Sequence, residues 1–337
     1  MDIYDIWFVI VGALFAGYAV LDGFDLGVGS LHLFAKGDTE RRILINSIGP
    51  VWDGNEVWLV VGGGALFAAF PDVYATVFSG FYLAIMLVLF MLIFRAAAIE
   101  FRSKHPHHRW RQAWDISFCV SSILAGFIFG VALGNVIRGI PLDEDKNYTG
   151  TLVDLLSPYT LLCGVTTVSL IAMHGANYLE LRTEGELQQR VRTWMQNTII
   201  FFVLCYFTLT MATLIYVPTM VEHVKDRQWL FIVPILTMLA IANIPRSVYH
   251  NHPGRAFASS CLAVLGLWLL VGIGMYPDLV VGDPESRTLT IYNSASSEST
   301  LRRMLIIALI GMPLVLGYTI VIYWIFRGKV RLDQTSY

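Results

Sequence analysis

Long apolar stretches alternate with short polar connections along the whole chain. Nine of these stretches are long enough to cross a hydrocarbon core of about 30 Å, which takes about 20 helical residues. They cover 6–33, 46–70, 73–100, 113–137, 155–181, 195–219, 229–249, 256–276 and 303–326. Each is too long and too continuously apolar for a barrel strand, and a helix satisfies its own backbone polar groups in lipid. The pattern therefore predicts an all-α integral membrane protein with nine transmembrane helices.

The composition agrees with this class, because 56% of the 337 residues are hydrophobic and only 14% are charged. The net charge is −2, and no basic tail or basic-aromatic patch indicates a nucleic-acid partner. The cysteines are widely spaced inside apolar segments, which predicts free thiols and suggests neither a disulfide framework nor a CxxC site. They are Cys119, Cys163, Cys205 and Cys261. The first apolar segment carries Asp2 and Asp5 instead of a basic n-region, so we expect it to remain in the mature chain.

The distribution of Lys and Arg predicts the orientation. The connections 36–45, 95–112, 182–192 and 246–255 together with the C-terminus hold sixteen of these residues, and the other connections hold seven. Because cytoplasmic loops are enriched in Lys and Arg, the N-terminus is predicted outside and the C-terminus in the cytoplasm. The expected location is the cytoplasmic membrane of a bacterium or an archaeon, as a multi-pass protein.

A faint internal repeat divides the chain. "LDGFDL" at 21–26 and "MHGANY" at 173–178 each close a long span and precede a charged connection, at an offset of about 151 residues. We therefore expect one membrane domain over 1–337, with related four-helix bundles at 1–137 and 153–276 and a peripheral helix at 301–327. Small residues at Gly126, Gly130 and Gly134 and at the Gly64–Ala68 pair predict close helix packing, which is favoured here over a dimerisation role.

Four carboxylates fall within the predicted spans. At 1.5 Å per residue, Asp22 lies about 24 Å from the outer end of the first helix, and Asp25 lies one turn further. Asp53 and Glu56 lie about 10 and 15 Å from the inner end of the second helix. Each pair has i, i+3 spacing, and a short connection makes the two helices neighbours. The four acids could thus converge in the inner half of the membrane.

Two explanations of this cluster remain open. A mid-membrane acid costs about 2.5 to 3.5 kcal/mol on insertion scales, so these residues need partners or a function. In the structural explanation, polar side chains pair with the acids and hold the helices together; the candidates are Arg95, Asn55, Trp52 and Asn46. In the functional explanation, desolvation and mutual repulsion turn the acids into proton carriers. Proton transfer is favoured for Asp53 and Glu56, whereas Asp22 and Asp25 fit both explanations.

The histidines argue against a haem iron ligated by this chain, because axial ligands must face a common pocket. Only His174 lies well inside a span, and one buried histidine is more often a hydrogen-bonded core residue than a ligand. The others fall at helix ends or in loops; they are His32, His105, His107, His108, His223, His250 and His252. We therefore predict that this chain ligates no haem iron and holds no metal.

Several stretches resemble subunit II of the cytochrome bd-type quinol oxidases. They are "DGFDLGVG" (22–29), "TERRILINSIGPVWDGNEVWLVVGGGALFAAFP" (39–71), "GFYLAIMLVLFMLIFRAAAIEFRSK" (80–104), "GANYLELRTEGELQQR" (175–190) and "LTIYNSASS" (289–297). The resemblance covers nearly the whole chain, and the 39–71 block is the most specific part. It implies a heterodimeric respiratory oxidase that takes electrons from quinol and reduces dioxygen to water.

The resemblance also implies how the work is divided in the complex. Subunit I of the family holds two haem b groups, haem d and the quinol-oxidation loop, and subunit II is its fold-related, haem-free partner. The acid of the "WDGN" segment, here Asp53, is implied to feed cytoplasmic protons toward the oxygen-reducing haem, with Trp52, Asn55 and Glu56 lining the route. Asp22 and Asp25 match first-helix acids with a structural or proton-conducting role.

Two other interpretations of the sequence remain. A purely scaffolding subunit is one alternative. A proton-coupled secondary transporter is another, although no pair of Gly/Pro-broken helices lies at matching depths. The resemblance is compatible with ubiquinol or menaquinol as the donor, and with small single-helix subunits, a structural quinone or an oxygen path in this subunit.

Overall fold

The computed structural model of the protein describes residues 2–221, 225 and 228–332. The longer helices are α1 (Ile3–Leu31), α2 (Gly37–Ile48), α3 (Trp52–Ala69), α4 (Pro71–Gly80), α5 (Tyr82–Phe101), α6 (His108–Arg138), α7 (Pro158–Arg182), α8 (Gly185–Tyr216), α9 (Ile232–Tyr249), α10 (Pro253–Met275) and α11 (Glu298–Ile325). Short strands lie in the connections: β1 (Ile140–Pro141) pairs in parallel with β3 (Gly282–Asp283), and β2 (Asp278–Val280) pairs antiparallel with β4 (Leu289–Thr290). The predicted all-α class is confirmed.

The described residues contain eight helices that are long and apolar enough to cross a membrane. The predicted single helix over 46–70 is wrong, because α2 ends at Ile48 and α3 begins at Trp52. Pro50 lies in this break, and a proline lacks the N–H that a continuous helix would need. α3 has 18 residues, but it is not one of the eight apolar helices, because Asp53, Asn55 and Glu56 in its first turns lower its hydropathy.

The predicted span 73–100 is also divided, into α4 and α5 with Phe81 between them. Gly80 ends α4 against Tyr148, whose Cβ lies 2.6 Å from where a Cβ on Gly80 would be. The apolar helix here therefore begins at Tyr82. The other predicted spans match helices with ends shifted by several residues, most of all at α8, which begins at Gly185 instead of 195.

α1 is the central helix and packs against α3, α6 and α7. The two segments of the faint repeat meet there, because α1 and α7 touch through Gly27 and Gly175. α6 lies against α7 along its three spaced glycines: a Cβ on Gly126 would be 2.5 Å from Ile171, and one on Gly130 would be 2.7 Å from the Cys163 carbonyl. The GxxxGxxxG stretch is therefore a packing face within the chain.

The buried apolar side chains form two large clusters. One joins α1, α2, α6, α7 and α8 and includes Phe24, Phe118 and Phe202. The other gathers the N-terminus of α1, the end of α3 and the connections that carry the strands, and it includes Trp7 and Phe70. The polar site described below lies on α1, α3 and α5 next to the first cluster.

α11 lies at the periphery, and none of its most apolar 18-residue window is buried. It is attached near both ends. The indole N–H of Trp7 donates to the Leu301 carbonyl at 3.1 Å, and Arg182 donates to the Phe326 carbonyl at 2.5 Å. Hydrogen bonds therefore fix this exposed helix against α1 and α7.

Candidate functional site

The centre of the site is an ion pair between α1 and α5. Nη1 and Nη2 of Arg95 donate to the two carboxylate oxygens of Asp22 at 2.9 and 2.7 Å. Both side chains are fully buried. This two-point geometry is the strongest form of the arginine–carboxylate interaction, and it compensates two charges that would be costly to bury alone.

Glu56 adds a second carboxylate to the same guanidinium. Its Oε2 lies 3.5 Å from Nη2 of Arg95, and its side chain is 20% exposed. Arg95 therefore faces one carboxylate from α1 and another from α3. Since Glu56 retains exposure and a longer contact, it is held less firmly than Asp22.

A hydrogen-bonded chain lies beside this ion pair. Nδ2 of Asn55 donates to Oδ2 of Asp25 at 2.7 Å, and the Tyr323 hydroxyl donates to Oδ1 of Asn55 at 2.8 Å. The other carboxylate oxygen of Asp25 is buried and has no hydrogen-bond partner among the described residues. Asp25 is thus a fully buried acid with one oxygen unpaired, next to the Asp22–Arg95 pair.

The remaining predicted residues lie apart from this centre. Asp53 is exposed in the first turn of α3. Trp52 packs in the first hydrophobic cluster, and Nδ2 of Asn46 donates to the Arg42 carbonyl within α2. The structure therefore brings together Asp22, Asp25, Asn55, Glu56 and Arg95, with Asp53 one turn from Glu56 on the exposed side.

Sequence reasoning missed Tyr323, which reaches the site from α11. It also missed a second ionic cluster at the ends of α1, α5 and α6. Asp115 accepts from Nη1 of Arg41 at 2.8 Å and from Nε of Arg102 at 2.5 Å, and its Oδ1 lies 2.6 Å from Nε2 of His32. Asp115, His32 and Arg102 are nearly fully buried. The only sequence signal was an aspartate inside the apolar α6.

His174 is a hydrogen-bonded core residue. Its Nε2 donates to the Val20 carbonyl at 2.9 Å, its Nδ1 lies 2.7 Å from the Ser260 hydroxyl, and its ring stacks on Phe257 with centroids 5.2 Å apart. Both ring nitrogens are thus engaged, and neither has a lone pair available for haem iron. Within residues 2–221, 225 and 228–332, no group of three or more His, Cys, Asp or Glu side chains is arranged to hold a metal ion.

These features define a multi-pass helical membrane protein with acids buried among its helices around one arginine. Comparison with known proteins then identifies the family. Residues 3–326 match the family model of cytochrome bd terminal oxidase subunit II, and the chain belongs to that family. The predicted resemblance is confirmed, and the chain is a subunit of an oxidoreductase complex of the bacterial inner membrane.

Individual relatives agree over nearly their full length. The chain is 37% identical to cytochrome bd-I ubiquinol oxidase subunit 2 of Escherichia coli K12, covering 98% of this chain and 95% of the relative. It is 37% identical to cytochrome bd ubiquinol oxidase subunit 2 of Bacillus subtilis, covering 98% and 97%. The bd oxidase structure from Geobacillus thermodenitrificans contains a chain with the same fold, with a TM-score of 0.80 and 16% identity over 97% of this chain and 99% of that chain.

Proposed function

We propose that this chain is the haem-free subunit II of a quinol oxidase that reduces dioxygen to water. The names of its relatives in Escherichia coli and Bacillus subtilis support quinol as the electron donor. The two haem b groups and haem d are then held by subunit I. Two histidines are fully buried among the described residues: His174 is engaged at both ring nitrogens, and Nε2 of His32 is held by Asp115. This chain binds subunit I and conducts cytoplasmic protons toward it.

The observation that supports proton conduction is a gradient of exposure along three acids. Asp53 is exposed, Glu56 is 20% exposed one turn further along α3, and Asp25 is fully buried on α1. Carboxyl groups at successive depths can pass protons, directly or through water. The unpaired oxygen of Asp25 is the point at which such a proton would be held.

Asp22 has a different role in this proposal. Both of its oxygens accept from Arg95, so it is committed to the ion pair and keeps the cation in place. Arg95 then sets the electrostatic field in which Glu56 and Asp25 exchange protons. Asn55 and Tyr323 orient Asp25 through the hydrogen-bonded chain.

Taking protons from the cytoplasm has an energetic consequence. If quinol releases its protons on the outer side, each elementary charge separated stores about 2.3 kcal/mol per 100 mV of membrane potential. Acids near the inner end of the helices provide the uptake half of this separation. A dedicated pump is unnecessary in this scheme.

The test uses the purified two-subunit complex. Asp53→Asn and Glu56→Gln are expected to slow oxygen consumption while the visible haem spectrum stays unchanged. Glu186→Gln is the matched control. Glu186 is 92% exposed, and its ion pair with Arg190 is long, at 3.9 Å. Normal turnover of both variants in well-assembled complex would refute proton conduction.

A scaffolding role is the second candidate, and the complete pairing of Asp22 with Arg95 favours it. In that case the acids hold helices together and all proton traffic runs in subunit I. Loss of the haem spectrum in Asp53→Asn and Glu56→Gln would support this candidate. Small accessory subunits and a bound quinone are compatible with both candidates.

We also propose the membrane arrangement that the sequence predicts. The N-terminus is outside, the C-terminus is cytoplasmic, and α3 crosses as a ninth span, because its 18 residues extend about 27 Å. The bundle over 1–137 then holds α1, α3, α5 and α6, and the bundle over 153–276 holds α7 to α10. Labelling of single cysteines placed at Asp145 and Glu186 from each side of sealed vesicles tests the orientation. Labelling of both from the same side would refute it.

A further inference from the structure

A cationic cavity lies where α9 and α10 join. Its volume is about 270 Å³, and it is formed by the last turns of α9 and the first turn of α10. Its lining residues are Asn243, Arg246, Ser247, His250, His252 and Arg255. The polar site on α1, α3 and α5 shares none of these residues.

No carboxylate of the described residues neutralises the positive charge of this cavity. The sequence from 228 to 275 contains no Asp or Glu. Neither Arg246 nor Arg255 forms an ion pair within residues 2–221, 225 and 228–332. Other arginines at helix ends do pair with carboxylates: Arg41 with Asp115, Arg111 with Asp38 and Arg192 with Glu180. The two unpaired guanidinium groups are therefore available to an external anion.

An apolar groove continues from the cavity along α9 and α10. Its volume is about 670 Å³, and its walls are mainly apolar, with five leucines; two of these, Leu239 and Leu262, are each 59% exposed. Asn243 and Arg246 line both the cavity and the groove, so the two form one continuous surface. A ligand that fills it has an anionic end and a long apolar end.

We propose that this surface binds an anionic phospholipid. The phosphodiester lies between Arg246 and Arg255, since guanidinium groups match phosphate oxygens in charge and geometry. An acyl chain lies along the leucine groove between the two helices. Basic pockets between transmembrane helices are suited to anionic headgroups in this way. A free phosphate ion would use the cavity alone and would gain nothing from the groove.

The experiment counts bound lipid on the purified two-subunit complex by native mass spectrometry. Delipidated complex is titrated with phosphatidylglycerol, with phosphatidylcholine, and with inorganic phosphate as competitor. Wild type is expected to bind phosphatidylglycerol in preference to phosphatidylcholine. Arg246→Gln/Arg255→Gln removes two charges and is expected to weaken phosphatidylglycerol binding about thirtyfold. Lys104→Gln/Arg109→Gln is the matched control, because it removes two exposed cations that line neither the cavity nor the groove.

A groove variant distinguishes a lipid from a bare phosphate. Ala242 lines the groove and is exposed, so Ala242→Phe places a bulky ring in the path of the acyl chain and leaves both arginines in place. The proposal expects this variant to lose phosphatidylglycerol. Wild-type lipid binding by Ala242→Phe, or full displacement of the lipid by inorganic phosphate, would show a phosphate site and overturn the proposal. Equal phosphatidylglycerol binding by wild type and Arg246→Gln/Arg255→Gln would also overturn it.

Discussion

Gly27 of α1 and Gly175 of α7 are in direct backbone contact. A Cβ on Gly27 would lie 1.9 Å from the Ile171 carbonyl oxygen and 2.8 Å from Cα of Gly175. Gly27 follows the 21–26 segment and Gly175 belongs to the 173–178 segment, so these two segments meet at residues that have no side chain. Asp22 and Asp25 lie on α1 within five residues of Gly27, and both are fully buried.

Ordinary overpacking costs about 1–3 kcal/mol of stability. Gly27→Ala is expected to cost more, because the added Cβ would meet the backbone of Ile171 and Gly175, which cannot rotate away as a side chain can. The measurement is the yield and the thermal unfolding midpoint of the purified complex. Gly12→Ala is the control in the same helix, since nothing lies within 4 Å of a Cβ there. Equal midpoints for the two variants would contradict the close approach.

Breaking the buried ion pair from one side is expected to be costly. Arg95→Met leaves the carboxylate of Asp22 uncompensated, and Asp22→Leu leaves the guanidinium with Glu56 alone. Each variant should lower the free energy of unfolding by about 3–5 kcal/mol. The double variant Asp22→Leu/Arg95→Met should recover much of this loss, because it buries no unpaired charge from the pair. Thermal unfolding of the assembled complex measures all three.

The control for this series is Glu298→Gln, which breaks the exposed pair with Arg302. An exposed pair of this kind contributes about 0–1 kcal/mol. If the loss of stability in the double variant equalled the sum of the losses in the two single variants, the ion pair would not be the source of the effect.

Tyr323→Phe is expected to lower oxygen consumption without changing the haem content. The substitution removes the hydrogen bond to Oδ1 of Asn55, so the amide that orients Asp25 is no longer fixed. Tyr318→Phe, on the exposed surface of the same helix, serves as the control. Turnover that falls equally in both variants would point to the helix instead of the hydrogen-bonded chain.

His174→Gln is expected to leave the visible spectrum of the complex unchanged. The imidazole is held by Ser260 and the Val20 carbonyl, and an amide side chain can replace part of this bonding. The substitution is expected to lower the stability by about 1–3 kcal/mol, because a buried hydrogen bond is lost. Loss of one haem signal at normal assembly would show that His174 is a ligand.

Hydropathy located most helices because a membrane span is a local property of about 20 residues. It failed at 46–70, where apolar flanks hid a break that Gly49 and Pro50 mark in the sequence. The division of 73–100 was harder to predict, since Phe81 is itself apolar and the break depends on the packing of Gly80 against Tyr148.

Five of the eight residues named from the sequence lie together in the structure, and their pairing was harder to predict. Residues at i and i+3 differ by about 60° around a helix, so Asp22 and Asp25 reach different partners, Arg95 and Asn55. The same angle leaves Asp53 exposed while Glu56 reaches Arg95. Tyr323 lies 268 residues from Asn55, and no local pattern could indicate that contact.

The attachment of α11 has a consequence for biogenesis. Asn55 is presented early in synthesis, yet the hydroxyl that completes its hydrogen bonding belongs to Tyr323, in the last long helix. Since chains insert from the N-terminus, Asn55 lacks the hydrogen bond from Tyr323 while more than 250 further residues are added. During this time the amide that orients Asp25 is not yet fixed. A chain truncated before α11 would therefore hold its acids without their final donor, and a quality-control protease could distinguish it from the finished subunit.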